Sequence, residues 1–206
     1  MNELVSDIPQ QIGDFDFNLN DAKHNRKLCA TLDVRAESPF SDGTNFLYNG
    51  LPVLKSGCYY YARNPDGTMP YIIKTEVKTI SAVRKQGIIQ RALWRDQTSI
   101  QATNLASTMF YSVLLEKFGL VVSDCMQTEG GRRFWQLRLI ESLKKGHHCY
   151  FLQAQAPRVL RELNLAERTF EDRGEIWGEE RRFRSHWLLI SNEELKPKDD
   201  VKFEGN

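Results

Sequence analysis

Between Gly87 and Leu152 the chain alternates strand-like and helix-like segments with few residues spent on connections. This alternation constrains the fold more than any other feature of the sequence. Gly87-Ile88-Ile89-Gln90-Arg91-Ala92-Leu93-Trp94 is a largely apolar run of strand length. Ala102 to Phe118 carries Leu105, Met109, Phe110, Val113, Leu114 and Phe118 at helical spacing, and Gly119 is placed to end that helix. Leu120-Val121-Val122-Ser123 predicts a second strand, Glu129 to Lys145 a second helix, and His147 to Leu152 a third strand. The second helix opens on Thr128-Glu129, closes on Lys144-Lys145-Gly146, and offers Phe134, Leu137, Ile140 and Leu143 as its core side. Strands joined by helical crossovers imply parallel neighbours, and ligands in such sheets sit where strand ends meet helix starts.

The residues before this region read differently. Phe46-Leu47-Tyr48, Asn49-Gly50 and Leu51-Pro52-Val53-Leu54 have the order of a tight hairpin, because Asn-Gly suits a type I′ turn. Gly57 to Arg63 is an aromatic-rich strand, Asn64-Pro65-Asp66-Gly67 a turn, and Met69 to Ile80 its antiparallel partner. The expected class is therefore α/β (α+β), with a mixed central sheet, an antiparallel N-terminal meander and a βαβαβ second half. Residues 1–45 form a lead-in to the same domain, with a helix over Asp21 to Leu32 and a loop marked by Pro39, Asp42, Gly43 and Asn45. The main domain spans 46–190. Past Leu152, Pro157 to Leu165 reads as a short helix, and Phe170 to Trp177 and Phe183 to Ile190 read as strands around Gly178-Glu179-Glu180-Arg181-Arg182. Residues 191–206 are polar and read as a flexible tail.

A chain of 206 residues can bury one good core, and a formal charge of +1 supplies no global field for DNA or an anionic membrane. No apolar run reaches membrane-spanning length, and Met1-Asn2-Glu3 lacks the basic and apolar blocks of a signal peptide, so a cytoplasmic address is expected. Cys29, Cys58, Cys125 and Cys149 are scattered without Cys-x-x-Cys spacing and read as reduced thiols. His147-His148-Cys149 looks like a ligand cluster, but neighbours on a strand point to opposite faces, and no metal site is expected. The chain has no Walker loop, no Gly-x-Gly-x-x-Gly, no His-Glu-x-x-His and no Gly-x-Ser-x-Gly.

The order of elements over Phe46 to Ile190 resembles the GCN5-related N-acetyltransferase fold, in which an antiparallel meander leads to a fourth strand, then helix, strand, helix and a closing strand pair. Leu120-Val121-Val122-Ser123-Asp124 followed by Gln127-Thr128-Glu129-Gly130-Gly131-Arg132-Arg133-Phe134-Trp135 is similar to the matching segment of divergent, often phage-borne, members. The resemblance implies acetyl-CoA as cofactor, its pantetheine arm along the fourth strand (Gly87 to Trp94) and its pyrophosphate on amides opening the next helix. Leu93 and Trp94 at the strand end, with Arg95, Thr98, Ser99 and Thr103 after it, are then the cofactor-binding residues. A helix start has orphan amides and a positive dipole end, and Arg95 and the hydroxyls add donors. Two departures stand out. The family's loop carries glycines where this chain has Gln101-Ala102, and its helix-borne acid tyrosine is here Phe134-Trp135.

Asp124, at a strand's carboxyl end, is a candidate general base for an acceptor amine, or else a helix-capping loop residue. Tyr59-Tyr60-Tyr61 places Tyr60 opposite its neighbours, so one face should be core and the other exposed or facing substrate. Arg132 and Arg133 open a helix against its dipole, which suggests either an anionic partner or a salt bridge to Glu129 or the Glu171-Asp172 region. Three readings follow. The first is an acyl-CoA-dependent N-acyltransferase moving acetyl to a substrate amine by direct attack. The second is an inactive protein of that fold that binds a macromolecular partner, as a phage inhibitor or accessory protein would. The third is nucleic-acid base modification, with Arg132-Arg133 and Arg181-Arg182 on phosphates.

Overall fold

The computed structural model describes residues 46–66, 68–96, 98–124, 129–164 and 186–205, together with Lys23. The expected lead-in helix, the Thr128 cap, the Phe170 to Trp177 strand and the charged Glu171 to Arg184 hairpin lie outside the described residues. The protein is a mixed α+β structure with a large mixed sheet and few helices. Its strands are β1 (Phe46–Tyr48), β2 (Leu51–Ser56), β3 (Tyr59–Ala62), β4 (Tyr71–Ile80), β5 (Lys85–Arg95), β6 (Leu120–Ser123), β7 (His148–Gln153), β8 (Val159–Leu163), β9 (His186–Ser191) and β10 (Lys202–Glu204). By hydrogen bonding they run β1-β2-β3-β4-β5-β6-β9-β7-β8-β10. No helix among the described residues is long and apolar enough to cross a membrane.

The chain divides into two compact units, 1–76 with 91–109 and 77–90 with 110–206. The first holds the antiparallel meander. Asn49 and Gly50 both take positive φ, +49° and +79°, and set the register Tyr48↔Leu51 and Phe46↔Val53. This is the hairpin that the Asn-Gly pair predicts. β3 pairs antiparallel with β2 and with β4. One face of this unit carries the cluster Tyr59, Tyr61, Met69, Ile72 and Trp94.

The second unit holds the alternating region. β5 and β6 pair in parallel from Ile88↔Val121 to Gln90↔Ser123, as a βαβ crossover requires. Gly87 precedes this ladder because a Cβ there would lie 2.9 Å from the Leu120 side chain and 3.2 Å from its carbonyl. β9 separates β6 from β7 and runs antiparallel to both. Tyr150, Leu152, Leu160, Val122 and Leu189 build its core.

The first helical stretch is not uniform. α1 (Leu105–Thr108) runs into a π-helical segment (Met109–Leu115) and then α2 (Glu116–Phe118), closed by Gly119 at φ +66°. α3 (Glu129–Lys144) buries Trp135, Arg138, Leu139 and Ser142, whereas Leu137 is 55% exposed. The inward stripe is thus turned from the expected Phe134-Leu137-Ile140-Leu143 set. Trp135 has more apolar surface to hide than any single aliphatic residue on the helix, and its placement fixes the helix rotation.

Two further expectations fail. Pro157 to Leu165 contains β8, not a helix, and β8 pairs antiparallel with β7 over five residue pairs from Cys149↔Leu163 to Gln153↔Val159. Val159-Leu160-Arg161-Glu162-Leu163 is too short to separate the two periodicities, and the free edge of β7 decides. The expected flexible tail carries β10, parallel to β8, with Leu195 and Val201 buried in the core. Those two apolar residues tie down the otherwise polar segment.

Candidate functional site

The expected cofactor-binding residues from Leu93 to Thr103 lie in the first unit. Trp94 is 5% exposed and packs among Tyr59, Tyr61, Met69 and Ile72, so its indole belongs to the core and borders no open site. Leu93 and Arg95 are half-buried, Ser99 half-buried, and Thr98 and Thr103 exposed. β5 ends where the Asp96 amide donates to the Pro70 carbonyl at 2.8 Å.

The segment then folds on itself. Asp96 Oδ1 accepts the Thr98 amide at 3.0 Å and the Thr98 hydroxyl at 2.7 Å. The Ser99 amide donates to the Asp96 carbonyl at 3.1 Å, and the Ala102 amide donates to Ser99 Oγ at 3.3 Å. The Thr103 and Leu105 amides donate to the Ile100 and Ala102 carbonyls at 3.0 and 3.2 Å. The β1–β2 hairpin clamps the result: Tyr48 Oη donates to the Thr103 carbonyl at 2.7 Å and Asn49 Nδ2 to the Gln101 carbonyl at 3.2 Å. Asn104 precedes α1 in the left-handed region, φ +62°, with no side-chain cap. Ala102, where the family resemblance wants glycine, is fully buried.

The Thr98, Ser99, Ala102, Thr103 and Leu105 amides are therefore engaged, and the Asp96 carboxylate beside the strand end repels phosphate. The same construction recurs in the β3–β4 turn. Asp66 Oδ1 accepts the Thr68 amide at 2.9 Å and its hydroxyl at 2.6 Å, and these bonds hold the Asp66 carboxyl below its usual pKa. Asp-x-Thr was the legible signal in both turns, since aspartate readily accepts from the backbone two residues on.

The three consecutive tyrosines do not divide into an inner and an outer face. Tyr59, Tyr60 and Tyr61 are all essentially buried, and burial pushes the Tyr60 hydroxyl up to about 12. The hydroxyls of Tyr60, Tyr61 and Tyr71 have no hydrogen-bond partner among the described residues. With both faces of β3 buried, Tyr60 does not present itself to a substrate.

In the second unit, Asp124 follows β6 and is half-buried. Arg132 is half-buried and Arg133 exposed near the start of α3, while Arg181 and Arg182 lie outside the described residues. Cys149 is buried with its thiol pushed up to about 12 by desolvation, and Cys58 is half-buried. His148 Nδ1 lies 3.2 Å from Glu162 Oε1. Among the described residues no three His, Cys, Asp or Glu side chains converge as a metal site.

Comparison with protein-family models, with curated proteins and with solved structures gives no match to any of the three.

Proposed function

We propose that this chain is a protein of acetyltransferase-like fold that acts by binding a macromolecular partner and does not transfer an acetyl group. The observation that carries this reading is the closure of the 96–103 segment by its own side chains. Asp96 and Ser99 take the Thr98 and Ala102 amides, and Tyr48 and Asn49 hold the turn from the hairpin side. A pyrophosphate entering here would have to displace those bonds and face the Asp96 carboxylate. The absence of a tyrosine early in α3, where Phe134-Trp135 stands, points the same way, because neither ring can protonate a leaving thiolate.

The element order supports the fold side of the reading. An antiparallel meander leads into β5, a helical stretch joins β5 to a parallel β6, and the β5–β6 ladder ends at Gln90↔Ser123 while β5 continues to Arg95. The same feature favours a second reading, acyl transfer from acetyl-CoA to an amine, with Asp124 as base. Thermal unfolding with and without acetyl-CoA separates the two. A ligand of micromolar affinity at millimolar concentration stabilises its protein by about 4 kcal/mol, which the melting curve cannot miss. Unchanged melting supports the binding protein; a rise that coenzyme A reproduces supports the transferase.

A further inference from the structure

We propose that Tyr111, presented by the π-helical segment, forms with Arg138, Lys145 and His147 a recognition site for a small oxyanion group, a phosphate or a carboxylate. The site lies within the second unit and does not rest on the reading of the 96–103 segment.

The π-helix comes first. Met109, Phe110, Val113, Leu114 and Leu115 are all buried, and Tyr111 is the half-buried residue of the segment. The Tyr111 hydroxyl donates to the Arg138 carbonyl at 3.1 Å and lies 3.1 Å from Ser142 Oγ, so the ring is locked against α3. π-helical turns are rare and occur disproportionately at functional sites.

Cations gather about this ring. Lys145 Nζ lies 3.6 Å from its centroid, the Arg138 guanidinium 5.6 Å, and His147 stacks at 6.1 Å with 17° between planes. The Arg138 guanidinium also covers the Phe134 ring at 5.3 Å. Arg138 is 7% exposed, and its buried Nε has no hydrogen-bond partner among the described residues. Its charge partner is Glu141, with Oε2 3.2 Å from Nη1. Lys145 is exposed and makes no ion pair among the described residues. Arg138 is thus paired with a single carboxylate, and Lys145, over the same ring, with none among the described residues. A buried arginine donor left unbonded, as Nε is, is costly, and an arriving oxyanion offsets that cost with a charge-assisted hydrogen bond.

His147 reports on the site. Burial, then Lys145, then His148 hold its imidazole below the usual histidine pKa; Arg138 and Glu141 complete the charged groups about Tyr111, and Glu162 faces His148. A bound anion opposes the Lys145 field and raises the His147 pKa.

The test follows the His147 ring resonances by NMR in the full-length chain while inorganic phosphate, or succinate in a second arm, is titrated at constant ionic strength. Saturable shifts with a rising His147 pKa are expected, and the arm that saturates at lower concentration identifies the group. Lys145→Gln, an exposed change that keeps the fold, is expected to weaken binding about tenfold, the worth of one charge-assisted hydrogen bond. Arg138→Lys, which keeps the charge and loses the planar donors, is expected to weaken it as well. Linear, unsaturated shifts in both arms overturn the proposal, as does undiminished affinity in Lys145→Gln.

Discussion

Asp96 and Thr98 form a closed turn in which one carboxylate oxygen takes both the amide and the hydroxyl of the residue two places on, at 3.0 and 2.7 Å. Asp96→Ala removes the acceptor of both bonds. The expected cost is about 1 kcal/mol, the net worth of an intramolecular hydrogen bond, with faster amide exchange at Thr98 and Ala102. Hydrogen exchange measured by NMR checks this, and unchanged protection at Thr98 would show that the turn closes without the carboxylate.

Gly87 and Leu120 approach too closely to admit a side chain. Gly87→Ala places a Cβ 2.9 Å from Leu120 Cγ and 3.2 Å from its carbonyl at the start of the β5–β6 ladder. Overpacking of this kind costs about 1–3 kcal/mol, to be read from the urea midpoint. A midpoint equal to the parent's would mean that β6 gives way without penalty.

The Tyr60 and Tyr71 hydroxyls are buried without hydrogen-bond partners among the described residues. Deleting an unbonded buried hydroxyl removes a desolvation cost and keeps the ring, so Tyr60→Phe and Tyr71→Phe should be neutral or stabilising. Destabilisation of either by more than about 1 kcal/mol would indicate that an ordered water bonds the hydroxyl in solution.

His186 gives the fold an acid-sensitive limb. Burial holds its imidazole below the ordinary value of 6.5, beside the Phe151 ring at 5.0 Å. The unfolded chain therefore takes up the proton first. The stabilising contribution is present above pH 6.5 and is lost as pH falls through the folded-state pKa. His186→Gln should flatten the stability profile below pH 6.5 relative to the parent. An identical slope in the two proteins would remove His186 as its source.

Much of the framework was legible. Leu120 to Ser123, the Asn49-Gly50 hairpin and the helix ends at Gly119 and Gly146 stand where periodicity, turn chemistry and closing glycines place them. The misreadings have local causes. Val159 to Leu163 becomes a strand through pairing with β7, which its own five residues do not encode. β10 depends likewise on β8, and Val201 rather than overall polarity decides its order. Trp94 has the right position for a ligand contact and the wrong orientation, because the aromatic cluster with Tyr59 and Tyr61 recruits it. In the site, the residue overlooked was Asp96. Its Asp-x-Thr signature is shared with Asp66-Gly67-Thr68, but a phosphate loop would give weight to the hydroxyls instead of the carboxylate that binds them. The π-helical turn that positions Tyr111 has no composition signature, since its residues keep a helical apolar pattern throughout.

The most direct test of the account is a calorimetric titration of the full-length chain with acetyl-CoA, alongside acetyl-pantetheine, which lacks the pyrophosphate. No saturable heat at millimolar cofactor is the predicted result, because the turn built by Asp96, Thr98, Ser99 and Ala102 already holds the amides a pyrophosphate needs. Micromolar binding that depends on the pyrophosphate would contradict it and return the chain to the acyltransferase reading.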